Sequence, residues 1–241
     1  MPTTPARRAF TYVLPLALLL AAGTQFGCQK SLLAVRQSGD ANFARGQYTE
    51  AEADYREYLD RSPARPEVHY MLGRTLLAQG RTAEAREQLL LAYRLTPEND
   101  EVFVQTCEGL FADKQYEELN RLLRSRTIDR GRMSDWTLLA DFSMRQGDKD
   151  EAARSLLAAA RVDGGTSVEP QLGLAKVYMA AGDTTRAIER LRMAYYVAPQ
   201  NGEVAALASQ LGQIVGPSFG VPPTERMMQI VPVADVPTDR R

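Results

Sequence analysis

The chain has 241 residues, 44% hydrophobic and 24% charged, with 29 basic against 30 acidic side chains and a formal net charge of −1. Such a composition excludes wholesale disorder, and the absence of any block of like charge in the body leaves no nucleic-acid patch. With one histidine and two cysteines, no disulfide framework is expected even in an oxidising compartment.

Residues 1–28, "MPTTPARRAFTYVLPLALLLAAGTQFGC", hold Arg7 and Arg8, no acid, and an apolar run from Val13 to Ala22. This is the layout of an export signal, and the run is short beside the roughly 20 residues of a membrane-spanning helix. The segment ends on Phe26-Gly27-Cys28, which resembles a bacterial lipoprotein site at which Cys28 is lipidated. Gly27 fits the small residue before the cut, whereas Gln25 departs from the usual aliphatic residue. A cut after Gly23 and an uncleaved anchor are the competing readings. Gln29 resembles the outer-membrane sorting residue of such lipoproteins, which implies a lipid anchor on the periplasmic side. The alternatives are a soluble periplasmic or inner-membrane-anchored protein.

From residue 29 onward a ruler recurs. Gly46-Gln47-Tyr48-Thr49-Glu50-Ala51 is echoed at Gly80 to Ala85, Gly147 to Ala152 and Gly182 to Ala187. The spacings between these glycines are 34, 67 and 35 residues. The double gap holds a fifth copy, Lys114-Gln115-Tyr116-Glu117-Glu118-Leu119, with lysine for glycine and leucine for alanine. Upstream of each turn sits a small residue: Gly39, Gly73, Cys107, Ala140 and Ala175. Pro63, Pro97 and Pro199 close three of the units. Small residues let two helices cross closely, a glycine in left-handed backbone ends the first helix, and proline cannot continue the second.

A period near 34 built from two helical patterns resembles the tetratricopeptide repeat, and Trp136 falls on that family's tryptophan site. The resemblance covers roughly residues 32–201. It implies an all-α, right-handed α-α superhelix, a solenoid of about five helix pairs. The third unit, residues 100–132, is the most degenerate. After Asn201, "GEVAALASQLGQIV" reads as a capping helix with Val204, Leu207, Leu211 and Ile214 on one face. The expected organisation is an export segment over 1–28, a capped solenoid over 29–215 and a disordered proline-rich tail over 216–241. Within that tail, Met227-Met228-Gln229-Ile230-Val231 is a candidate docking segment.

No catalytic constellation, metal-ligand spacing or phosphate loop occurs, so no enzyme activity, cofactor or metal is expected. His69 stands at a packing position, and Cys107 at a helix crossing. In the family's geometry the first helix of each pair lines a concave groove. The groove sites this implies are Phe43, Leu77, Phe111, Met144 and Met179; Asp40, Arg74, Glu108, Asp141 and Lys176; and Arg36, Tyr70, Val104, Thr137 and Leu172. An apolar stripe flanked by charges suits a protein or peptide segment, with Phe43 and Phe111 as anchors. The acids Asp40, Glu108 and Asp141 would repel a terminal carboxylate. The resemblance implies a non-catalytic protein-binding adaptor of the cell envelope; the alternatives are a self-associating envelope protein, a homo-oligomer built through the stripe or tail, and an accessory subunit of an envelope assembly or secretion machine.

Overall fold

The computed structural model describes residues 30–226. Cys28, the rest of the export segment and the Met227–Val231 patch lie outside the described residues. Those residues form eleven helices and begin another helical turn at Thr224; no strand occurs among them. The described residues divide into two compact units, one ending at Val102 and the other beginning at Phe103.

In the first unit, α1 (Leu32–Ala44) packs on α2 (Tyr48–Arg61), α3 (Pro66–Ala78) on α4 (Thr82–Leu95), and α2 on α3. Ser31 caps α1 by accepting the Ala34 N–H, and Pro66 opens α3, where a missing donor costs nothing. The core gathers Ala51, Tyr55, Val68, Leu72, Leu76 and Ala85. Gly39 and Gly73 do what the spacing predicts. A Cβ on Gly39 would lie 2.8 Å from the Tyr55 ring, so the aromatic ring occupies the space that the glycine leaves.

Helix α5 (Asp100–Ala112) straddles the division. The second unit continues with α6 (Tyr116–Asp129), α7 (Met133–Arg145), α8 (Lys149–Asp163), α9 (Val168–Ala181), α10 (Thr184–Val197) and α11 (Gly202–Gln210). Here α7 packs on α8, α8 on α9, and α9 on α10. The first helices of all five pairs end alike. At the five turns, Gly46, Gly80, Lys114, Gly147 and Gly182 have φ between +59° and +83°. The N–H groups of each turn residue and its successor bond back to the helix just ended, as in Lys114 N to Phe111 O at 3.0 Å and Gln115 N to Leu110 O at 2.9 Å. Lys114 therefore adopts the glycine's backbone without being glycine, which establishes the register of the degenerate third pair.

The C-terminal end differs from the sequence-based expectation in two ways. The capping helix stops at Gln210, because Gly212 turns into left-handed backbone at φ +70°; Ile214 consequently leaves the packing face and is 93% exposed. The proline-rich stretch from 216, expected to be disordered, is packed as far as Arg226. Phe219 joins Leu172, Ala175, Leu191, Ala194, Val204 and Ala208 in one core, with its ring 5.6 Å from that of Tyr195. The Val221 N–H donates to the Arg192 carbonyl at 3.2 Å. Proline removes donors but not apolar surface, and Phe219 finds a ready-made socket. The boundary at 215/216 is accordingly not a structural one.

Candidate partner-binding groove

The described groove lies in the second unit, between the first helices of its last two pairs. A cavity of about 510 Å³ is bounded by Thr137, Ala140, Asp141 and Met144 on α7 and by successive turns of α9. The spacing is helical: residues three, four and seven apart share a face. On α9 that face carries Glu169, Leu172, Gly173 and Lys176, and Val168 and Val177 also line the cavity. Gly173 stands against Leu156 of α8, where a Cβ would approach Leu156 Cδ2 to 2.9 Å. The floor is thus apolar and the rim polar.

Some of the rim charges stand near a partner. Lys176 Nζ lies 2.7 Å from Glu203 Oε1, an acid supplied by α11. Asp141 is 3.6 Å from Arg145, whose guanidinium is chiefly engaged by Glu108 through two hydrogen bonds of 2.6 and 2.8 Å. The same guanidinium sits 4.1 Å over the Phe111 ring and 4.6 Å over that of Phe142. Phe111 also contacts Phe142, with centroids 5.8 Å apart. Of the residues expected along this unit's groove, Asp141, Met144 and Lys176 meet at the cavity together with Thr137 and Leu172. Met179 packs with Met144 on the core beneath. Glu108 and Phe111 belong instead to the Arg145 cluster beside it, and Val104 is 40% exposed.

In the first unit the predicted residues also gather, but they largely satisfy one another. Arg74 lies 5.0 Å from the Phe43 ring centre and 5.4 Å from that of Tyr70, and Phe43 meets Tyr48 edge-on at 5.6 Å. Tyr70 donates to Glu101 at 2.6 Å; burial, and then this carboxylate, push its phenol up to about 12. Asp40 accepts from Tyr55 at 2.8 Å and pairs with Arg36 at 3.7 Å. Leu77 rests on the core. Phe43 is therefore partly covered by a cation, as Phe111 is.

His69 and Cys107 are both held in packing positions. His69 is 9% exposed; its Nε2 donates to the Pro63 carbonyl at 2.7 Å, and its Nδ1 lies 2.8 Å from the Gln88 amide. Burial pushes the Cys107 thiol well up, toward an inert packing group. Among the described residues no three His, Cys, Asp or Glu side chains cluster to hold a metal, and no helix is long and apolar enough to cross a membrane.

Two models of the tetratricopeptide repeat match the sequence, one over residues 36–100 and one over 144–211. Together they span more than half of the chain. It belongs to the tetratricopeptide repeat family. The unmatched interval contains the pair in which Lys114 and Leu119 replace the repeat's glycine and alanine. No curated protein matches the sequence. Among solved structures, the MamA protein superposes with a TM-score of 0.55 at 16% identity, over 77% of this chain and 98% of MamA. Pseudomonas aeruginosa pilF gives 0.53 at 19%, over 75% and 82%. YrrB, described as a TPR protein with an unusual peptide-binding site, gives 0.50 at 16%, over 73% and 90%. At these identities the likeness shows the fold alone. Tetratricopeptide repeat proteins are scaffolds that bind protein or peptide partners.

Sequence reasoning missed Val168, Glu169, Gly173, Leu156 and Glu203. Glu169 and Gly173 share a helical face with Leu172 and Lys176, so their spacing was a usable signal. Leu156 and Glu203 come from other helices, and no local pattern points to them.

Proposed function

We propose that this protein is a non-catalytic adaptor of the bacterial cell envelope that holds a segment of a partner protein in the groove between α7 and α9. The observation that carries this reading is the open 510 Å³ cavity, apolar below and charged at its rim, on the helix faces that the repeat family uses for binding. The structural roles of His69 and Cys107 support a binding role over catalysis. The basic start, apolar run and Cys28 of residues 1–28 support export and a lipid anchor, with attachment to the outer membrane on the periplasmic side. Affinity for a single peptide segment should be micromolar, on the order of −8 kcal/mol.

The test is crosslinking in intact cells carrying a tagged protein, with Met144→Arg alongside and helicity checked by circular dichroism. A defined envelope partner recovered with the parent chain and lost in the folded variant is the expected result. Equal recovery from both would remove the groove from the function. Recovery of the protein only with itself would replace the adaptor with a self-associating envelope component.

A further inference from the structure

The charges around the groove do not cancel. The groove and the adjoining Arg145 cluster hold four acids, Glu108, Asp141, Glu169 and Glu203, against two cations, Arg145 and Lys176. Both cations are already engaged: Arg145 by Glu108, and Lys176 by Glu203 at 2.7 Å. Asp141 keeps only a 3.6 Å approach to Arg145 and is 61% exposed. Among the described residues, Glu169 faces no cation across an ion pair. The rim therefore presents two carboxylates whose charge is incompletely met, standing over a floor of Ala140, Met144, Leu156, Leu172 and Val177.

Resting on the adaptor reading, we infer that the occupant of this groove is a cationic partner segment, in which aliphatic anchors are flanked by lysine or arginine. Aliphatic side chains fill the cavity, while the flanking cations sit opposite Asp141 and Glu169. The rim charges favour that segment and disfavour acidic ones, so electrostatics sets selectivity and association rate while the floor supplies the attraction. The methionine at the cavity wall adapts to differently shaped anchors. The chain's own residues 227–241 are the rival occupant. They carry Asp235 and Asp239 against Arg240 and Arg241, a balanced set with no excess of the charge that the rim calls for.

The experiment pans a library of random 12-residue peptides over the immobilised full chain. Selected peptides are then synthesised and titrated into the parent, into Asp141→Lys/Glu169→Lys, and into Met144→Arg. Both charge-reversed positions are exposed, and thermal melts establish that each variant is folded. We expect enriched peptides to combine Leu, Ile or Met with at least two basic residues. Their Kd should rise about tenfold in the charge-reversed variant, and severalfold between low salt and roughly 0.3 M, where the screening length falls well below 10 Å. Peptides without basic enrichment that still lose binding in Met144→Arg would overturn the cationic assignment and leave the groove standing. Peptides indifferent to Met144→Arg, or no selected peptide at all, would overturn both. Selection of sequences like 227–241, displaced by a synthetic peptide of that segment, would make the groove an intramolecular site and overturn the partner assignment.

Discussion

Gly73 lies directly beneath Leu89: a Cβ at Gly73 would stand 2.6 Å from Leu89 Cγ and 3.3 Å from the Ala85 carbonyl oxygen. The crossing of α3 and α4 is set by that contact, because the leucine fills the space a side chain would need. Gly80, a few residues later, is constrained differently: no atom lies within 4 Å of its would-be Cβ, but its φ is +77°. Gly73→Leu should destabilise the fold by roughly 1–3 kcal/mol through overpacking. Gly80→Ala should cost about 1 kcal/mol through backbone strain alone. Urea melts followed by circular dichroism separate the two, and a Gly73→Leu variant as stable as its parent would refute the crossing argument.

Lys114 holds a left-handed φ of +59° where four other pairs have glycine. Its side chain is exposed, so the backbone rather than the charge is the source of strain. Lys114→Gly should stabilise the protein by about 0.5–1 kcal/mol, the relief of the left-handed penalty less the entropy of a freer unfolded chain. Lys114→Ala, which removes the charge and keeps the Cβ, should leave stability nearly unchanged. Similar gains from both variants would show that charge, not φ, is responsible.

Much of this architecture was legible because one local constraint is repeated five times. A crossing needs a small residue and a turn needs left-handed backbone, so Gly39, Gly73 and the four turn glycines announce themselves, and Lys114 could be placed by register. What was not legible depends on residues far apart in the chain. Nothing near Phe219 indicates the socket lined by Leu172 and Val204, and the prolines around it suggest coil. The apolar spacing that put Ile214 on the capping helix is real, but Gly212 ends the helix first. Phe43 and Phe111 looked available because the cations that cover them, Arg74 and Arg145, sit on other helices.

Asp135 is a buried convergence point. Its carboxylate accepts from Arg126 Nε at 3.0 Å, from Arg132 Nε at 3.1 Å and from the Arg132 backbone N–H at 3.2 Å. The Arg126 guanidinium also lies 3.8 Å from the Phe103 ring centre. Burial alone would raise the Asp135 carboxyl, but the hydrogen bonds from Arg132 and Arg126 outweigh it and hold the group below its usual range. Asp135→Asn keeps the shape and removes the charge on which two guanidinium groups converge. It should cost about 3 kcal/mol in chemical denaturation. A loss below about 0.5 kcal/mol, the level of a surface pair, would mean that the cluster contributes little to the fold.

Glu225 fastens the C-terminal segment through a second buried network. Arg190 lies 2.9 Å from Glu225 Oε1 and donates to Gln171 at 2.8 Å, while Gln171 donates back to Glu225 Oε2 at 3.1 Å. Burial pushes the Glu225 carboxyl up, yet the Arg190 hydrogen bond and charge, with backbone and Gln171 hydrogen bonds, bring it below its ordinary 4.5. A carboxyl depressed in the folded state stabilises it fully above the unfolded pKa, and that contribution is lost as pH falls through the folded value. The docked segment should therefore be held at neutral pH and loosen progressively below about pH 4.5. Hydrogen exchange over residues 216–226 reads this directly, through the Val221 amide that donates to Arg192. In Glu225→Gln the segment should be less protected at neutral pH, and its additional loosening in acid, relative to the rest of the protein, should disappear. That comparison matters because Asp135 and Asp163 are also depressed, so the whole fold weakens in acid. An acid-induced loosening of the segment that is equally steep with glutamine at 225 would assign the effect to those other carboxylates.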